Sequence, residues 1–187
     1  MRMGVRLLIA ALCAAALVVI LAIVGDSELD EASWKAIGTA IALAFFSLTA
    51  IAGTNLAARR PELSLFGYLT AILSLVAFVT MTSTIWGNVL DSDWKGAGIA
   101  TVLALASGHV SLLLGSARSE DSDTVRLVRG GVILAAAVLC LMAVVEISSQ
   151  GEDVGIRTIA VVAVLYVLGT ILLPLLRRAS VAKPSES

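Results

Sequence analysis

The chain has 187 residues, 59% of them hydrophobic and 14% charged, with a formal net charge of −1 and a mean hydropathy of +1.00. A water-soluble globule cannot hide that much apolar surface, and the near-zero charge offers neither a basic field for nucleic acid nor an acidic tail. The composition therefore predicts an all-α, polytopic integral membrane protein, with the lipid bilayer as its solvent and no nucleic-acid partner.

A bilayer core of about 30 Å needs roughly 20 mainly apolar residues per helix, and stretches of that kind fall at about 5–24, 36–58, 63–86, 96–116, 125–147 and 155–176, which predicts a bundle of six transmembrane helices. Arg2 and Arg6 precede the first as they would in a signal peptide, but the apolar run is too long and lacks a clean small-x-small cleavage site, so retention is expected. The second opens on Trp34 and carries Gly53 and Asn55 near its far end. The third carries a hydroxyl ridge at Thr80, Ser83 and Thr84 and closes on Trp86. The fourth, opened by Trp94, places Ala104, Gly108, Ser111 and Gly115 on one face, a seam for close helix packing. The fifth begins with Arg126 and Arg129, expected with Arg118 to meet anionic headgroups, and then Gly130, Gly131 and Ala135, expected to pack. Pro174, near the end of the sixth, is expected to kink it or mark its exit from the membrane. One transmembrane domain, 1–180, and a short cytoplasmic tail, 181–187, account for the chain.

Orientation follows from lysine and arginine, because cytoplasmic loops hold the excess. Arg2, Arg6, Arg59, Arg60, Arg118, Arg126, Arg129, Arg177, Arg178 and Lys183 fall on one side, against Lys35, Lys95 and Arg157 on the other. This predicts a multi-pass protein of the cell (inner) membrane with both N- and C-termini cytoplasmic. Trp34, Trp86 and Trp94 all fall at the opposite, outer boundary, where indole rings anchor.

A shift of 60 residues lays Trp34, Lys35, Gly38, Ala40, Leu43, Ala44 and Ser47 on Trp94, Lys95, Gly98, Ala100, Leu103, Ala104 and Ser107 without a gap. A second shift aligns Asp93 with Asp153, Leu113 with Leu173 and Arg118 with Arg178. The pattern predicts three helix-hairpin repeats of about 60 residues, arranged as parallel repeats around an axis along the membrane normal.

Ionisable groups inside a membrane are costly enough to be functional candidates by default, and His109 is the one that falls well inside a span. With Ser107, Ser111, Thr80 and Thr84 it forms the candidate intramembrane polar site; the structural alternative is a neutral histidine bonded to a nearby hydroxyl or carbonyl. Glu146 is expected at the outer interface, solvated. Cys13 and Cys140 sit in apolar runs at different depths and read as small hydrophobes. The chain carries no P-loop, HExxH or GxSxG motif, and one histidine with two apolar cysteines makes neither a zinc site nor a triad, so no catalytic, metal or cofactor site is expected. The leading expectation is a non-enzymatic scaffold or a subunit of a membrane assembly, homo- or hetero-oligomeric. The alternative is a small transporter or channel with its polar site near His109.

Overall fold

The structure, a computed structural model, describes residues 31–87, 94–118, 120–149 and 156–181, with side chains of the last stretch described over 161–176. Five helices form: α1 (Glu31–Arg59), α2 (Ser64–Trp86), α3 (Trp94–Gly115), α4 (Asp123–Ser149) and α5 (Ile156–Val181), with a single 3-10 turn at Pro61–Leu63. Helix is what a lipid solvent demands, because every backbone amide then bonds within its own segment. Leu65, Leu75, Leu134, Leu141 and Leu165, all 60% exposed or more, give the surface the apolar character that hydrocarbon requires.

Helix ends follow local chemistry. Pro61 disfavours helical backbone at the residue before it, and Arg60 accordingly leaves the helix (φ −133°, ψ 88°), ending α1. The chain turns at once, with the Leu63 amide donating to the Arg60 carbonyl at 2.9 Å. Gly87 caps α2 in the left-handed region (φ 70°), and its amide donates to the Ser83 carbonyl at 3.1 Å. Ser122 begins α4, its hydroxyl accepting the Val125 amide at 3.4 Å.

α1, α2 and α3 pack mutually, α4 packs on α3, and the backbone of α5 approaches α4 alone among the described helices. The tightest crossing joins α1 and α2, where Gly53 and Gly67 meet backbone to backbone: a Cβ on Gly67 would run into the Gly53 carbonyl and stand 2.8 Å from the Ala57 nitrogen. α3 brings Gly108 close to Thr49 of α1, where a Cβ on the glycine would stand 2.8 Å from the threonine Cβ. Ala42, Phe46, Ala77 and Ala104 fill the centre of this trio. A second cluster, Leu113, Val125, Val132 and Leu173, holds α3, α4 and α5 together near the end that carries the Arg60 and Arg118 corners. That end is the corner end below, and the opposite one, with exposed Trp34, Trp86 and Trp94, the tryptophan end.

Two architectural expectations are corrected. Among the described residues there are five helices, not six, and four of them, α1 to α4, are long and apolar enough to cross a membrane. The apolar run at 5–24 lies outside the described residues, and so does Cys13. α5 carries a further apolar stretch over Val161–Leu176 of its described side chains.

The second correction concerns the hairpin repeat. Sixty residues beyond Gly53 and Gly67 stand Leu113 and Leu127; the first is buried at 8% exposure, while the second points outward at 78%. Two leucines cannot reproduce a glycine–glycine crossing. α3 consequently joins α1 and α2 as the third member of a trio, and clean sixty-residue hairpin repeats are not found among the described residues. Ile85 packs on Gly38, and Ile147 on Gly98, each with its Cδ1 3.4 Å from where a glycine Cβ would stand, but Ile147 lies 62 residues beyond Ile85 and so outside the sixty-residue register.

Candidate functional site

The hydroxyls of the trio form a cross-helix ladder. Ser74 and Thr70 of α2 lie one turn apart on the buried face that also carries Gly67 and Ala77. Thr49 of α1 shares a hydrogen bond with Ser74 at 2.7 Å, and Thr70 shares one with Ser111 of α3 at 3.1 Å. The Ser74 hydroxyl also donates to the Thr70 carbonyl at 2.8 Å, linking the two rungs. Thr70, Ser74 and Ser111 are all at most 1% exposed. Bonds of this kind replace water that hydrocarbon cannot supply, and they hold three helices in one rotational register.

The candidate polar residues divide between two faces. Ser111 belongs to the ladder, and Ser107 donates to the Ala104 carbonyl of its own helix at 3.1 Å. Thr80 bonds back to the Val76 and Ala77 carbonyls at 3.0 and 3.1 Å, and Thr84 to that of Thr80 at 2.8 Å. His109 stands two residues from both Ser107 and Ser111, about 200° around a 3.6-residue helix, and so faces the other way. Its ring meets Tyr166 of α5, centroids 5.0 Å apart and planes inclined at 57°. Its Nε2 is buried with no hydrogen-bond partner among the described residues.

Beside this pair lies a cavity of about 290 Å3 between α3, α4 and Tyr166, lined by Val102, Ala106, Ala136, Cys140 and Ala143 among others. Small side chains on both helices leave the space. Tyr166 also packs against the Leu113–Val125–Val132–Leu173 cluster. Glu146 follows Ala143 by one turn on α4; it is half-buried rather than solvated, and its Oε2 has no partner among the described residues.

The corner end carries the charged chemistry. Arg129 is buried against Asp121, the two forming an ion pair, and Asp121 also accepts the Arg118 amide at 2.9 Å. The expectation that Arg129 reaches a headgroup is thereby corrected: Asp121, eight residues back, folds over it. Arg60 donates to the Ala117 carbonyl at 2.7 Å, tying the α1–α2 corner to the carbonyl end of α3, where a cation is favoured. Gly130 and Gly131, expected to pack, are exposed, with nothing among the described residues within 4 Å of a Cβ at either. Lys35 pairs with Glu31 at 2.7 Å at the tryptophan end.

Tyr166, Thr70, Ser74 and the Asp121–Arg129 pair were not singled out from sequence. The small-residue spacing that identifies the α3 seam also identifies Gly67, Thr70, Ser74 and Ala77 on α2. No sequence signal brings Tyr166 to His109. Among the described residues no group of histidine, cysteine, aspartate or glutamate is placed to hold a metal ion. Comparison of the chain with protein-family models, curated proteins and solved structures finds no match. The class that fold and site define is a multi-pass α-helical membrane protein.

Proposed function

We propose that this protein is a non-enzymatic structural subunit of a membrane assembly. The observation that carries the reading is the outward face of α4, where Leu127, Leu134 and Leu141 stand 78%, 67% and 65% exposed around the open Gly130 and Gly131. Lipid-exposed leucines are ordinary, but two adjacent glycines with no neighbour among the described residues admit a further helix at backbone distance, which is how helices associate in hydrocarbon. The basic corners carrying Arg59, Arg60, Arg118 and Arg126 face the cytoplasm in this reading, in keeping with the excess of basic residues in cytoplasmic loops.

The test is a Leu134→Cys variant in a background with Cys13 and Cys140 replaced by alanine, oxidised in native membranes. A disulfide-linked dimer, or a defined adduct when a photoreactive group replaces the cysteine, is the expected result. A chain that stays monomeric and unadducted at Leu134 overturns the reading.

A second reading, a small transporter or channel, is favoured by the unpartnered Nε2 of His109 beside a cavity. Against it, Ser107, Ser111, Thr80 and Thr84 bond within the trio or to their own helices, so they do not line that cavity. Proton flux in proteoliposomes that vanishes in a folded His109→Ala variant would favour transport over the structural role.

A further inference from the structure

We propose that the partner at the outward face of α4 is a second copy of this chain, the two α4 helices lying parallel about a twofold axis along the membrane normal. The inference rests on the structural role proposed above and names its partner.

The face has the period of a helix pair. Leu127, Leu134 and Leu141 recur every seven residues, and Gly130, Ala137 and Val144 recur every seven between them. A mean spacing of about 3.5 residues is that of a seam between two helices wound left-handedly about each other. The leucines, Gly130 and Ala137 are exposed and Val144 is half-buried, on the side of α4 opposite the buried Val125, Arg129, Val132 and Ala136. The outward face of α2 is the contrast: Leu65, Leu69, Ile72, Val76 and Val79 put a large side chain at every turn, which suits hydrocarbon and keeps another helix at a distance. On α4 two glycines stand in succession inside a helix, where glycine is less favourable than any residue but proline, and nothing among the described residues packs on either. A helix at close range supplies the packing that offsets this.

Two features select a second copy over a different helix. Copies of one chain insert in the same orientation, so their α4 helices run parallel and each layer of the seam holds the same residue twice. The taper from Gly130 through Ala137 to Val144 then matches itself: the helices come closest toward the corner end, and Leu134 of each enters the gap between Gly130 and Ala137 of the other. The second feature is charge. Asp123, fully exposed and one turn before Leu127, pairs within the chain with the largely exposed Arg126 at a loose 3.8 Å. About the twofold axis the Arg126 guanidinium of each copy comes within reach of the Asp123 carboxylate of the other. The four charges alternate in sign and sum to zero, so the end of the seam is complementary to itself.

The experiment uses the purified full chain in liposomes, with Cys13 and Cys140 replaced by alanine and single cysteines oxidised. Same-position disulfides are expected at Leu127→Cys, Leu134→Cys and Leu141→Cys and not at the equally exposed Leu65→Cys or Leu75→Cys of α2. In a lipid-dilution series read by energy transfer between labelled copies, Gly130→Ile raises the half-dimer mole fraction roughly ten- to hundredfold with helix content by circular dichroism unchanged. Asp123→Lys and Arg126→Glu each raise it roughly three- to tenfold, and mixing the two variants restores association. Disulfides as strong on α2 as on α4, or a Gly130→Ile variant that associates like wild type, overturns the proposal. If the purified chain gives no disulfide at Leu134→Cys while a photoreactive group there captures another protein in native membranes, the second copy is excluded and the structural role stands. With neither product, both fall.

Discussion

Adding one methyl group at the α1–α2 crossing tests the packing argument most directly. In Gly67→Ala the new carbon meets the Gly53 carbonyl and stands 2.8 Å from the Ala57 nitrogen and 2.9 Å from its Cβ. Carbon contacts relax to about 3.5–4.0 Å, so the helices must separate by roughly 0.6–1.0 Å. These neighbours are mostly backbone and cannot swing aside. A gap of that size forfeits about a quarter to a half of the dispersion energy at each neighbouring contact, and it stretches the Thr70–Ser111 bond, already 3.1 Å long. Overpacking of this kind costs about 1–3 kcal/mol, offset by up to ~1 kcal/mol of alanine's helix preference over glycine. The expected net loss is about 1–2 kcal/mol, and Gly53→Ala, whose Cβ would stand 2.8 Å from that of Thr70, costs a similar amount. One separation relieves both clashes, so the double variant loses less than the sum of the singles. Equilibrium unfolding in mixed micelles titrated with SDS reads these values. Gly115→Ala, whose Cβ would meet only the Leu56 Cδ1 at 3.9 Å, is the control and is neutral or slightly stabilising. If Gly53→Ala and Gly67→Ala unfold where Gly115→Ala does, the close crossing is not what holds the trio.

The same titration checks the other contacts. Asp121→Ala strands the buried Arg129 guanidinium and costs about 3–5 kcal/mol; the double variant Asp121→Leu/Arg129→Met recovers most of that loss, since neither charge then remains. Thr70→Val removes the Ser111 cross-helix bond and costs about 0.6–1.7 kcal/mol, with a coupling to Ser111→Ala measurable in a double-mutant cycle. Ser122→Ala, which deletes the cap on α4, costs about 1 kcal/mol; thiol labelling of a cysteine at Ala117 should rise with it as the corner loosens.

The helices from α1 onward were legible because hydropathy is a local property: some twenty apolar residues identify a helix whatever it packs against. Their ends ran past the apolar stretches, α1 beginning at Glu31 and α4 at Asp123, since polar first-turn residues extend a helix beyond hydrocarbon. The seam on α3 was legible too, and Ala104, Gly108 and Ser111 are buried along it. The grouping of His109 with Ser107 and Ser111 was not resolved by sequence proximity, because two residues on a helix lie on nearly opposite sides. Glu146 looked solvated because depth was counted along the chain, which does not fix the face of α4 on which its side chain lies.

Membrane residence, all-helical structure and the positions of small residues were thus determined by sequence alone. Which helices meet was decided by tertiary structure: α3 joins α1 and α2, His109 turns to Tyr166, and Arg129 closes on Asp121. The physical reason is that lipid and leucine are equally apolar, so hydropathy carries no preference among partners. A backbone that can come close, as at Gly53 and Gly67, and a hydroxyl or charge that must find its partner make the choice, and both depend on rotational register that a sixty-residue periodicity does not encode.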